Sequence, residues 1–153
     1  MTFSESVRTC LRDKYATFSG RASRSEYWWF FLAVTLAGMV LFGLMFLLGG
    51  GLDQFENNQG GIFATTSGAI LGIVLLIFYL AILIPSIAVA VRRFHDRNLS
   101  GWWYLGLIVL GFVPFVGFLA SLAIIVIAVL KGTPGPNKFG PDPLGAGDAE
   151  IFS

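Results

Sequence analysis

The stretch RRFHDRNLSGWW, residues 92–103, sets three arginines, the only histidine of the chain, an aspartate and two tryptophans between two long apolar runs. Such a segment is either a reaction centre or the rim of a membrane domain, and the flanking runs decide between the two. Residues 67–91 before it and 102–130 after it hold no Asp, Glu, Lys or Arg, and an earlier run, 27–48, holds none either. Roughly 20 apolar residues in a helix cross the hydrocarbon of a bilayer. The charged stretch is therefore first of all the lip of a membrane protein.

Composition agrees. Of the 153 residues 56% are hydrophobic and 12% charged, with a mean hydropathy of +0.77, whereas an ordinary soluble domain is about one quarter charged. The length fits one domain that buries its apolar surface mainly against lipid. A single cysteine, Cys10, excludes an intrachain disulfide, and its place among Arg8, Arg12 and Lys14 suits a reducing compartment and a small apolar filler. The run opening near Tyr27 is too long for a cleaved leader and is expected to remain as an anchor.

Along the chain, Phe3, Val7, Leu11, Tyr15 and Phe18 recur at helical intervals. The spacing predicts an amphipathic interfacial helix over 3–18 with Ser4 as its N-cap, although the same pattern fits a helix packed on the bundle. Spans follow at about 27–48 and 67–91, the second carrying Pro85, which predicts a kink. Residues 102–130 would make one helix of about 43 Å against a hydrocarbon core of about 30 Å. GFVPFVG, residues 111–117, breaks that run, so two short legs, 102–113 and 116–130, are expected, with a single tilted third span as the alternative. The expected fold is an all-α integral membrane protein: one interfacial helix and four transmembrane helices, the last two a Pro-broken hairpin. These make a single domain over 1–143, followed by a flexible tail over 144–153. Trp28, Trp29, Trp102 and Trp103 fall where interfacial aromatics belong.

Charge sets the orientation. Arg8, Arg12, Lys14, Arg21 and Arg24 precede the first span, Arg92, Arg93 and Arg97 follow the second, and the loop between the spans has acidic residues but no Lys or Arg. The positive-inside rule then places the N-terminus, the 92–103 segment and, through the hairpin, the C-terminus in the cytoplasm.

Three polar segments flank the spans: FSGRASRSEYWWF, RRFHDRNLSGWW and GTPGPNKFGPDP. In this order and spacing they resemble the signature segments of the domain of unknown function 805 family, small bacterial inner-membrane proteins, over roughly residues 18–143. The resemblance implies a helical membrane domain and carries over no activity.

If the last region is a hairpin, all three segments lie on one membrane face, and Arg21, Arg24, Glu26, Arg92, Arg93, His95, Asp96, Asn137 and Asp142 converge there around the rings of Trp28, Trp102 and Trp103. Arg92 and Asp96 stand four residues apart and are expected to pair. Ser100 or Asn98 is placed to cap the next helix. The leading reading is a non-enzymatic binding or scaffold module whose cytoplasmic polar cap holds an anionic headgroup or an acidic partner segment. Arg24, Arg92 and Arg93 would be donors, with Glu26 and Asp96 orienting them. The alternative is a membrane enzyme on a lipid headgroup or lipid-linked substrate, with His95 as acid or base beside Asp96.

One histidine and no cysteine cluster are too few strong ligands for a metal, and no cofactor is indicated. Spans without ionisable groups argue against a conventional transporter. Arginines held at the interface argue against nucleic acid. Membrane lipids are the expected partners, anionic ones among them, beside a membrane-protein partner or a second copy of the chain.

Overall fold

A computed structural model describes residues 1–52, 61 and 65–145. Among these the protein is all-helical, with no strand: α1 (Phe3–Arg8), α2 (Arg24–Leu48), α3 (Thr66–Asp96), α4 (Gly101–Leu110) and α5 (Val116–Val129). The middle of the loop joining α2 and α3, and the tail from 146 onward that was expected to be flexible, lie outside the described residues. The chain divides into two compact units, one taking in Met1–Phe30 and the chain from Pro85 on, the other Phe31–Ile84.

The second unit is made of the greater part of α2 and α3, each of which has its polar end in the first. α2 has 25 residues and α3 has 31, about 37 and 46 Å of helix, so both are long and apolar enough to cross a membrane. Their side chains are not covered by protein: Met39, Leu47, Ile77 and Leu80 are each more than half exposed. A soluble core helix would hide such residues. Ser67 Oγ donates to the Leu48 carbonyl at 2.6 Å, taking up one of the last carbonyls of α2. Further along, Gly38 lies so near the Tyr79 hydroxyl that a Cβ would meet it at 2.7 Å.

In the first unit, the N-terminal segment differs from the expected 3–18 helix. Thr2, not Ser4, is the N-cap, in a reciprocal capping box with Glu5: the Glu5 N–H donates to Thr2 Oγ1, and the Thr2 N–H donates to the Glu5 carboxylate at 2.7 Å. The α-helix gives way at Thr9 to a π-helical turn, Thr9–Asp13, closed by the Lys14 N–H on the Thr9 carbonyl at 2.7 Å, and helix ends there. Ser6 and Cys10 face inward and are fully buried, whereas Phe3, Leu11, Tyr15 and Phe18 are exposed. The row of larger apolar residues is thus left partly exposed, and the fully packed side is the small one.

α2 begins one turn earlier than its apolar run because Ser23 Oγ accepts the Glu26 N–H at 3.2 Å. α3 runs past its apolar stretch, carrying Arg92, Arg93, His95 and Asp96 in its last turns. It stops at Asn98, whose φ of 59° is the left-handed conformation that ends helices. The Leu99 N–H returns to the Phe94 carbonyl at 3.0 Å. Ser100 then caps α4, so the two expected capping residues divide the work: Asn98 closes one helix and Ser100 opens the next. Residues 102–130 fold as the hairpin of α4 and α5 rather than as one helix, with legs of 10 and 14 residues.

Candidate functional site

Asp96, in the last turn of α3, is the centre of the polar cap. Its Oδ1 receives Arg21 Nε at 2.9 Å and Arg21 Nη2 at 2.7 Å, while its Oδ2 is bonded to Arg93 Nη1. All three side chains are at least 95% buried. Two guanidinium groups on one carboxylate leave a positive excess, which backbone carbonyls absorb. Arg21 donates to Gly135 and Thr133 carbonyls at 2.6 Å each. Arg93 donates to Ala128 at 3.0 Å, to Ala22 at 3.3 Å and to Leu130. Ala128 and Leu130 stand at the C-terminal end of α5, where helix carbonyls lack intrahelical partners and carry the negative end of the dipole. Arg93 is thus the C-terminal cap of a helix 35 residues downstream.

The Asp96 main chain is used as well. Its carbonyl accepts the Thr133 N–H at 2.9 Å and the Thr133 hydroxyl at 3.1 Å. Between these contacts lies Gly132, and only a glycine fits, since a Cβ there would stand 2.1 Å from Asp96 Oδ2.

A second buried pair sits beside the N-terminal segment. Arg92, fully buried, bonds Glu26 through Nη1. Cys10 Sγ lies 4.0 Å from both Glu26 Oε1 and Arg92 Nη2, and Ser6 Oγ donates to the Glu26 carbonyl at 2.5 Å. Burial, and then the neighbouring Glu26 carboxylate, push the Cys10 thiol up to about 11. It is a protonated filler. The expected Arg92–Asp96 pair does not form: Arg92 takes Glu26, and Asp96 takes Arg93 one residue on, at the i,i+3 spacing.

His95 and Asp96 do not act as a dyad, because the Asp96 carboxylate is taken by the two arginines. The His95 ring stacks on Phe139 at 3.9 Å between centroids and 3° between planes, with Nδ1 3.1 Å from the Gly20 carbonyl. The tail is pinned over this surface. Asn137 Nδ2 donates to the His95 carbonyl and to Thr133 Oγ1 at 3.0 Å each, and Asn137 and Gly140 exchange backbone hydrogen bonds in a tight turn. Asp142 accepts the Gly135 and Leu144 N–H groups at 3.1 and 3.0 Å and lies 3.9 Å from Arg21. The Leu144 N–H, then that of Gly135 and the Arg21 charge, hold its carboxyl below the usual aspartate range.

Above Arg21, Arg93 and Asp96 opens a cleft of about 1020 Å³, walled by the prolines of the tail. Five cationic side chains line it against two carboxylates. Arg21 and Arg93 are spent internally. The surplus is Lys14, Arg24 and Lys131, solvent-accessible and without an ion-pair partner among the described residues.

Of the nine residues expected to converge, Arg21, Arg93, His95, Asp96, Asn137 and Asp142 share one hydrogen-bonded assembly. Glu26 and Arg92 form the neighbouring pair, and Arg24 faces the cleft. Trp102 and Trp103 do not surround the cluster; they are 79% and 64% exposed in the first turn of α4, and the ring against the network is Phe139. Trp29 packs edge-on against Phe3, and Trp28 against Tyr27. Lys131 was not among the expected site residues, and within the segment GTPGPNKFGPDP neither Gly132 nor Thr133 was singled out. Lys131 and Gly132 follow directly on the last apolar run, a position that signals the return to the polar face. The carbonyl acceptors of Ala128 and Leu130 have no signal in sequence at all.

Two membrane-length helices, a short apolar hairpin and a cap of interlocked arginines and carboxylates define a helical domain of membrane type. The chain belongs to the family described as "Protein of unknown function (DUF805)", whose profile matches residues 15–141. It is similar to two proteins of Escherichia coli strain K12, inner membrane protein YhaH and inner membrane protein YhaI. The first is 39% identical over 131 residues, 84% of this chain and 88% of that protein. The second is 35% identical over 129 residues, 84% of this chain and 87% of that protein. No solved structure matches.

Proposed function

We propose that the protein is a multi-pass module of the bacterial inner membrane, non-enzymatic, with a cytoplasmic cap that binds an anionic lipid headgroup. The relatives named as inner membrane proteins and the two membrane-length helices support the location. The basic residues flanking the spans support a cytoplasmic cap. The observation that carries the binding reading is the cleft with surplus cations: Lys14, Arg24 and Lys131 face it without an ion-pair partner among the described residues, over a floor whose donors are already bonded internally. A rigid, internally satisfied floor costs nothing to organise when a ligand arrives. Arg24, Lys14 and Lys131 therefore contact the anion, and Arg21, Arg93 and Asp96 hold the cleft in shape.

Catalysis at His95 is disfavoured by its surroundings. Its ring is covered by Phe139, its Nδ1 is on a carbonyl, and its neighbouring carboxylate is taken.

The test is native mass spectrometry of the detergent-solubilised protein titrated with short-chain phosphatidylglycerol and, in parallel, phosphatidylcholine. The anionic lipid is expected to be retained preferentially. A basic side chain near a charged surface contributes about 1 kcal/mol, so R24Q and K131Q should each weaken retention about five-fold. Equal retention of the two lipids, or no effect of either variant, would overturn the reading.

A further inference from the structure

The α4–α5 hairpin, GWWYLGLIVL and VGFLASLAIIVIAV joined by 111–115, has no described partner on its outer surface. Phe112, Phe115, Phe118 and Leu119 are 85%, 94%, 69% and 65% exposed at and after its tip, and no residue from 101 to 130 is ionisable as Asp, Glu, Lys, Arg or His. Water does not suit such a tip. A second observation points to what surrounds it: of the six N–H groups in 111–117, those of Gly111, Phe112 and Val113 donate back to carbonyls of Leu107 to Leu110 in α4, those of Val116 and Gly117 donate within the turn, and Pro114 has none to satisfy. A turn inside hydrocarbon needs its backbone donors bonded internally, and five of the six here are so bonded.

The legs are nevertheless short. At 1.5 Å per residue, 10 and 14 residues reach about 15 and 21 Å, against about 30 Å of hydrocarbon. Both ends of the hairpin return to one place. Gly101 follows α3 by five residues, and the far end is tied back to the last turns of α3 through Arg93 on Ala128 and Leu130, and Arg97 on Lys131. From these facts we infer that the hairpin is re-entrant: it enters the leaflet on the side of the polar cap, turns near the middle of the bilayer and leaves by the same face. Its partner is the acyl-chain interior of that single leaflet. Trp102 and Trp103 mark its entry level. The chain then crosses the membrane twice rather than three or four times. Hydrocarbon-filling bulk enters only one leaflet, and the hairpin acts as a monolayer wedge. This inference rests on the reading that α2 and α3 cross the membrane.

The experiment uses the full chain in phosphatidylethanolamine–phosphatidylglycerol vesicles, on a C10A background. F115C carries a nitroxide for depth measurement by collision with oxygen and with a water-soluble nickel chelate, and T65C and K138C are tested with an impermeant thiol reagent from each face. The expected result is oxygen-rich, nickel-poor collision at position 115, together with T65C and K138C labelled from opposite faces. Nickel collision at 115 as high as at a water-exposed site would overturn the re-entrant hairpin alone. T65C and K138C labelled from the same face would overturn the wedge, and S100C, between α3 and the hairpin, then separates the two causes: labelled from the face opposite T65C, the hairpin is a third crossing; labelled from the face of T65C, α3 does not cross.

Discussion

Gly132 and the Asp96 carboxylate are in van der Waals contact with no room between them: a methyl group on Gly132 would sit 2.1 Å from Oδ2. The contact fixes where the tail leaves the hairpin, because Thr133, the next residue, clasps the Asp96 carbonyl. G132A must therefore either push the carboxylate off Arg21 and Arg93 or lift the tail. Breaking a buried ion pair at one partner costs about 3–5 kcal/mol, and G132A is expected to lose most of that range. Thermal unfolding in detergent, compared with G106A at a glycine with open space around it, measures it. A shift no larger for G132A would show that the clasp yields freely.

The Glu26–Arg92 pair is predicted to be costly to break and cheap to replace. E26Q leaves Arg92 buried with its charge uncompensated, and Arg92 Nε already lacks a partner among the described residues. A loss of about 3–5 kcal/mol is expected for E26Q, while the double variant E26L/R92M should recover most of it. With E26L and R92M as the single variants of the cycle, additive losses in the double would contradict the pairing.

Cys10 yields a pH prediction. Burial and Glu26 raise its thiol from 9.0 to about 11, so the folded protein holds the proton longer than the unfolded chain. Its contribution to stability is complete below 9.0 and is lost as the pH rises through about 11. The thiolate is the reactive species. Alkylation of the folded protein should stay slow where a free cysteine reacts readily, and accelerate only in that alkaline window. Rapid labelling at neutral pH would mean that the N-terminal segment opens.

At the hairpin tip, Gly117 packs on Gly111 so closely that a Cβ would stand 2.3 Å from the Gly111 carbonyl oxygen. Backbone cannot swing aside as a side chain can. G117A should therefore splay the turn, whereas G106A, at a glycine with open space around it, should leave it intact. Nitroxide pairs placed on the two legs would report the separation, which is expected to grow only in G117A.

Much of the framework was legible because it depends on patterns the chain displays openly. Runs of apolar residues gave α2 and α3, the GFVPFVG break gave a hairpin in place of one long helix, and the order of the three polar segments brought Arg21, Arg93, Asp96, Asn137 and Asp142 into one assembly. Pairing within the assembly was not legible. Arg92 and Arg93 are adjacent and chemically identical, and which carboxylate each takes depends on the rotation of α3 against residues 21–26. The N-terminal segment misled for a different reason: its extra residue per turn between Thr9 and Asp13, which rotates the following side chains, has no signature in hydrophobic spacing.

Arg93 meets its acceptors late. On the ribosome it is made 35 residues before Ala128, and Arg21 is made 112 residues before Thr133. Without those acceptors, burying the two guanidinium groups would leave several donors unanswered, at a cost that keeps them in water. Closure of the cap thus waits on residues 128–135: a chain ending before residue 128 lacks the carbonyls that satisfy Arg93 Nε and Nη2 and Arg21 Nη1 and Nη2.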